Sequence, residues 1–155
     1  MDQFPENHRQ HTEIMDITNI SPTDLLPHRG PMLLVEEVLA GDTDFAEVRA
    51  TVRSTWPLVR NGRVHPLALL ELAAQTAGVC NGWERIRRQG IDSDKSGWLV
   101  GIKKAEFFTG PLQTGCILTA RAENTFSFES LREVACTVHR AEKQVAKAVL
   151  QLFQA

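Results

Sequence analysis

Hydrophobic and polar positions change period along this chain, and the changes mark its elements. Residues 1–18, MDQFPENHRQHTEIMDIT, are polar and without period, which predicts a loose arm carrying His8 and His11. Ser21–Pro22–Thr23–Asp24 combines a hydroxyl cap with Pro at the first helical position, and the short helix it opens should end near Pro27. A turn through His28–Arg29–Gly30–Pro31 leads to a strand over 32–40 and, after Gly41–Asp42, to an alternating strand over 45–52, together a hairpin. Residues 54–63 contain Pro57, Asn61 and Gly62 and keep no period, so they read as a loop. A long Ala- and Leu-rich helix then starts around Val64, with Pro66 in its first turn, becomes charged from Glu84 and ends at Gly90. Beyond a polar loop at 91–96, four strand-like segments follow at 97–107, 115–126, 131–140 and 144–153.

The long helix organises the rest. From Leu67 to Val79 it is apolar on nearly every face, so it must be wrapped by protein. A single antiparallel sheet of about six strands curling around one helix supplies that wrapping. This α+β arrangement is a hotdog, over residues 19–155. Two polar residues break the apolar pattern. Glu71 and Gln75 stand one turn apart on one face, and the stripe continues through Gly78 and Gly82. A carboxylate on a wrapped helix is costly to bury unless it is paired, protonated or used.

Composition narrows the functional classes. A chain of 155 residues, 43% of them hydrophobic, can bury one ordinary core. A net charge of -2 with scattered Lys and Arg gives no electrostatic footprint for nucleic acid. Cys80, Cys116 and Cys136 sit singly in apolar segments, which suits reduced core thiols and a cytoplasmic setting, and none has metal-ligand spacing. No apolar run approaches the roughly 20 residues of a membrane span, and the arm has no signal-peptide core, so a protein that is not exported is expected.

Three segments resemble a known family. The Leu25–Leu26–Pro27–His28–Arg29–Gly30–Pro31–Met32–Leu33–Leu34–Val35 segment is similar to the opening of the 3-hydroxyacyl-[acyl-carrier-protein] dehydratases. The Glu-x-x-x-Gln of Glu71 and Gln75 resembles their central-helix motif, and Thr109–Gly110–Pro111 resembles a turn they share. The loop before the helix departs from the housekeeping enzymes. It reads Trp56–Pro57–Leu58–Val59–Arg60–Asn61–Gly62–Arg63, without their catalytic His, and His65–Pro66–Leu67 replaces the usual helix opening. The nearer resemblance is to the divergent dehydratase-like proteins of aryl polyene gene clusters, which implies a part in polyene or fatty acyl synthesis.

The resemblance implies dehydration of 3-hydroxyacyl thioesters, carried on acyl carrier protein or coenzyme A, to 2-enoyl thioesters, with no cofactor and no metal. It also implies a double-hotdog homodimer in which one subunit supplies the Glu and the other the His. In this sequence Glu71 is the candidate general acid, its pKa raised by burial. His28 is the first candidate for the base and His65 the alternative. Gln75 would orient Glu71, while backbone amides at Pro66–Leu67 would lie at the substrate carbonyl. A hotdog acyl thioesterase and a non-catalytic partner subunit are the competing readings, the second supported by the missing loop His.

Overall fold

The computed structural model describes residues 16–154, so His8 and His11 lie outside the described residues. The described end of the expected arm is packed, not loose: Asp16 caps a single turn at Ile17–Asn19, and Ile17 is buried in the core. Helix α1 (Pro22–Leu25) starts as expected, with the Ser21 hydroxyl accepting from the amide of Thr23.

Nine strands follow among the described residues. They are β1 (Glu37–Gly41), β2 (Phe45–Thr51), β3 (Val59–Arg60), β4 (Arg63–Val64), β5 (Gly97–Phe107), β6 (Leu112–Gln113), β7 (Ile117–Phe128), β8 (Leu131–Arg140) and β9 (Lys143–Gln154). Six of them form one antiparallel sheet in the order β1-β2-β7-β8-β9-β5. Helix α2 (Ala68–Gln89) packs on that sheet, with Leu69, Leu72, Val79 and Cys80 buried. This is the hotdog that the helix composition requires. The inward positions of the sheet include Ala46, Ala50, Ala120, Ala122 and Ala148, all buried, so the backbone of α2 approaches closely. Burial pushes the thiols of Cys80 and Cys136 up to about 12, so both are inert core residues. No helix among the described residues is long and apolar enough to cross a membrane.

Several details differ from the sequence reading. The expected loop at 54–63 holds a hairpin: β3 and β4 flank Asn61 and Gly62, both at positive φ, and β4 pairs with β6. Two-residue strands have too little period to be read. The long helix begins at Ala68, because the amides of Ala68, Leu69 and Leu70 bond three residues back to His65, Pro66 and Leu67 in a tightened turn. Its charged end is not all in solvent. Arg85 is buried, and its guanidinium donates to the carbonyls of Asp24 (3.2 Å) and Asp94 (3.1 Å), tying α1 and the 91–96 loop to α2.

The first expected strand is also shorter, starting at Glu37 instead of Met32, and the reason is Gln75. Its Oε1 accepts from the amides of Leu34 (2.9 Å) and Val35 (3.4 Å), so those amides serve the helix and not a neighbouring strand. Its Nε2 donates to the carbonyl of Met32 (2.7 Å) and to Glu71 Oε1 (2.9 Å). All the hydrogen-bonding capacity of the amide is used.

Two glycines complete the attachment of the N-terminal segment. A Cβ on Gly82 would run into the backbone carbonyl of Leu25, and one on Gly78 would meet Leu26 Cδ2 at 2.7 Å. The missing side chains let α1 lie directly on α2.

Two outcomes test this account. Gly82→Ala should destabilise the fold by about 1–3 kcal/mol through overpacking against backbone that cannot yield; a urea midpoint equal to the parent would contradict the close approach. Gln75→Leu strands the amides of Leu34 and Val35, and each buried amide without a partner costs about 1–3 kcal/mol. Denaturant unfolding should therefore show Gln75→Leu well below the parent, and a change within experimental error would refute the bracing role.

Candidate active site

Glu71 lies in the first turn of α2, on the face where the helix meets the segment following α1. That segment leaves α1 at Leu26, crosses Pro27 and brings His28 over the helix. Arg29 fixes its path by donating to the carbonyls of Thr23, Leu26 and His28. His28 Nε2 then stands 3.2 Å from Glu71 Oε1. Gln75 donates to the same oxygen from one turn along the helix. Among the described residues Glu71 is thus held through Oε1 alone, and its side chain remains one-third exposed.

The charge state follows from these contacts. The hydrogen bond from His28 pulls the Glu71 carboxyl below its ordinary value, burial pushes it up by less, and Gln75 and the charge of His28 add to the lowering. The expectation of a raised pKa is therefore corrected. Two N–H donors on one oxygen stabilise the anion more than partial burial penalises it, so Glu71 is a carboxylate at neutral pH. His28 Nδ1 is enclosed and has no hydrogen-bond partner among the described residues. Of its two ring nitrogens only Nε2 has a partner among those residues, and that partner is Glu71.

The acid and His28 meet within one chain. His65 is not brought to Glu71. It lies exposed before α2, where its Nδ1 accepts from the amide of Leu67 at 3.1 Å and caps its own helix. Pro66 is buried and has no N–H, and the first-turn amides from Leu67 to Leu70 are all bonded within the turn. A substrate carbonyl at this end would feel the helix dipole but would meet no free amide of that turn. Among the described residues no group of three His, Cys, Asp or Glu side chains is placed to hold a metal.

From Glu71 and His28 a cleft of about 150 Å³ runs along α2 between the post-α1 segment and the β5–β9 edge. Ala74, Gly78 and Gly82 form its helix side, and Trp98, Leu99, Leu152 and Phe153 its sheet side. Asn81 also lines it. The sequence stripe of Glu71, Gln75, Gly78 and Gly82 passes over Asn81, although that residue follows Gly78 at helical spacing and was legible on the same face. The sheet wall was not legible, because β5 and β9 are brought beside α2 only by the strand order.

A model of the ApeP-like family, described as ApeP dehydratase, matches residues 20–155. The 3-hydroxyacyl-[acyl-carrier-protein] dehydratase FabZ of Chlamydia trachomatis serovar D is 35% identical over 117 residues, 71% of this chain and 71% of that protein. Among solved structures, the dehydratase heterocomplex ApeI:P from Xenorhabdus doucetiae matches with a TM-score of 0.79 at 20% identity, covering 88% of this chain and 91% of that one. The Escherichia coli PaaI protein from the phenylacetic acid degradation operon matches with a TM-score of 0.57 at 18% identity, covering 76% and 81%. The structural likenesses bear out the fold, and the family match over residues 20–155 spans both the His28 segment and the Glu71 helix. This chain belongs to the ApeP-like family of dehydratases.

Proposed function

We propose that this protein removes water from 3-hydroxyacyl thioesters to give 2-enoyl thioesters, with the acyl group on acyl carrier protein or coenzyme A, in fatty acyl or polyene synthesis. The observation that carries the mechanism is a carboxylate pinned through one oxygen at the head of a largely apolar cleft. Glu71 Oε2 takes the proton alpha to the thioester carbonyl. The C–H electron pair becomes the new carbon–carbon double bond as the bond from Cβ to the hydroxyl breaks. The proton held by Glu71 goes to the departing hydroxyl, which leaves as water, so the step balances without a redox change. His28 and Gln75 keep Glu71 ionised and oriented, and the positive end of α2 favours negative charge developing on the carbonyl.

The active unit in this reading contains a second hotdog subunit seated on β5. That strand pairs with β9 on one side only, and Trp98, Leu99, Val100 and Ile102 are exposed along it. An uncovered apolar edge of this length favours association. A second copy of this chain is the occupant proposed, while the ApeI:P relative is a heterocomplex. The free thiols of Cys80, Cys116 and Cys136 agree with a reducing, cytoplasmic setting.

Purified protein given 3-hydroxyacyl pantetheines should form enoyl product without releasing thiol; thiol release would instead indicate a thioesterase. Glu71→Gln should lower kcat about 10²–10⁴-fold with the fold intact, and an active Glu71→Gln protein would sink the mechanism. The ionised acid is the active form, so kcat/KM should fall only as pH drops through a value below the ordinary Glu range. Any stability the lowered pKa provides is present above that range and is lost in the same acid window. His28→Ala removes the largest lowering contact and leaves burial, so the acid limb should move to higher pH. An unmoved limb would show that His28 does not set the charge of Glu71. Light scattering should give twice the 17.3 kDa chain mass, and Val100→Asp should halve it; a monomeric parent would exclude the homodimer.

A further inference from the structure

The cleft that starts at Glu71 does not end in apolar side chains. Its far end is lined by Asn81, Lys95, Arg132 and Gln154, and Asn81, Arg132 and Gln154 also line a second cleft of about 130 Å³ that continues beyond it. Asn81 is 4% exposed. Its amide orientation is fixed from outside: Asn124 Nδ2 donates to the carbonyl of Thr43 (3.3 Å) and to Asn81 Oδ1 (2.9 Å). Because Thr43 offers only an acceptor, Asn124 must present its N–H₂ group, and Asn81 must answer with its oxygen. What Asn81 has left is the donor, Nδ2, and no hydrogen bond among the described residues uses it. Lys95 makes no ion pair among the described residues. Arg132 spends one nitrogen on the carbonyl of Glu129 and one on Glu84 and keeps further N–H groups. The far end of the cleft therefore gathers an unpartnered amide N–H₂ that opens to the cleft, an ammonium, and a guanidinium paired with the Glu84 carboxylate of the second cleft.

A methyl-ended acyl chain reaching this point would leave the Asn81 donor desolvated and unpaired, which is unfavourable. A chain whose end carries an oxygen would satisfy it. We infer that the cleft selects acyl thioesters bearing an oxygen acceptor, a hydroxyl or a carboxylate, at the end distal to the thioester, with Asn81 Nδ2 as the principal donor and Lys95 and Arg132 beside it. Asn81 lies ten residues beyond Glu71 along α2, and at 1.5 Å per residue the two are separated by about 15 Å. The acceptor must lie about that far from the reacting carbons. The inference rests on the dehydratase reading, because that reading places the thioester end at Glu71.

The test uses saturated straight-chain acyl pantetheines, which cannot react, of matched lengths spanning about 15 Å and ending in methyl, hydroxyl or carboxylate. Calorimetry should show about tenfold tighter binding of an oxygen-ended chain than of its methyl counterpart at the best-fitting length. Which of the two oxygen-ended chains binds tighter identifies the acceptor as neutral or anionic. Asn81→Asp keeps an oxygen for Asn124 and replaces the free donor with an acceptor, so the ratio should collapse. Lys95→Met, at the partly exposed rim, should narrow it even if Asn81→Asp fails to fold. Equal binding of all three chains by the parent protein overturns the inference. Because these probes measure binding alone, that outcome is independent of whether 3-hydroxyacyl pantetheines are dehydrated.

Discussion

The side-chain amide of Gln75 is the point on which this structure turns. In one group it ties the backbone of the segment after α1 to the central helix and supplies one of the two hydrogen bonds that hold Glu71. A buried amide with every donor and acceptor used tolerates no local rearrangement, since each lost partner leaves a polar group stranded in a nonpolar setting. The acid, the amide and the segment carrying His28 are therefore positioned together. The glycines at 78 and 82 act on the same segment from the other side, by giving α1 room to rest on the helix.

This bracing decides the chemistry of Glu71. Partial burial by itself would raise the carboxyl's pKa and favour its protonated form. With His28 and Gln75 both directed at Oε1, the balance reverses and the acid rests as an anion. A carboxylate that first accepts and then returns a proton can serve both halves of an elimination. Whether an acid or a base stands on the helix is thus set by side chains that arrive from another part of the chain.

Much of the architecture was legible from pattern. The apolar circumference of the long helix demanded a surrounding sheet, and the alternation at 45–52, 131–140 and 144–153 placed strands that the structure contains nearly to the residue. Gly90, at positive φ, ends the helix as expected. The failures share one cause. Met32 to Glu36 carries strand-like residues but is diverted by Gln75, and Arg85 looks like a solvent-facing charge but is enclosed by α1 and the 91–96 loop. In each case a distant partner outweighed a local preference.

The sequence by itself determined the buried helix, the antiparallel strands, and an acid and an amide one turn apart on a shared face, because these depend on periodicities within a single element. Only the tertiary structure decided that His28 and not His65 meets Glu71, that the acid is ionised, and that the cleft beside it ends in Asn81, Lys95 and Arg132. Those properties depend on distances between segments far apart in the chain. Hydrogen bonds act over about 3 Å, so a loop's path, fixed here by Gln75, Arg29 and two glycines, determines which of several eligible side chains takes part.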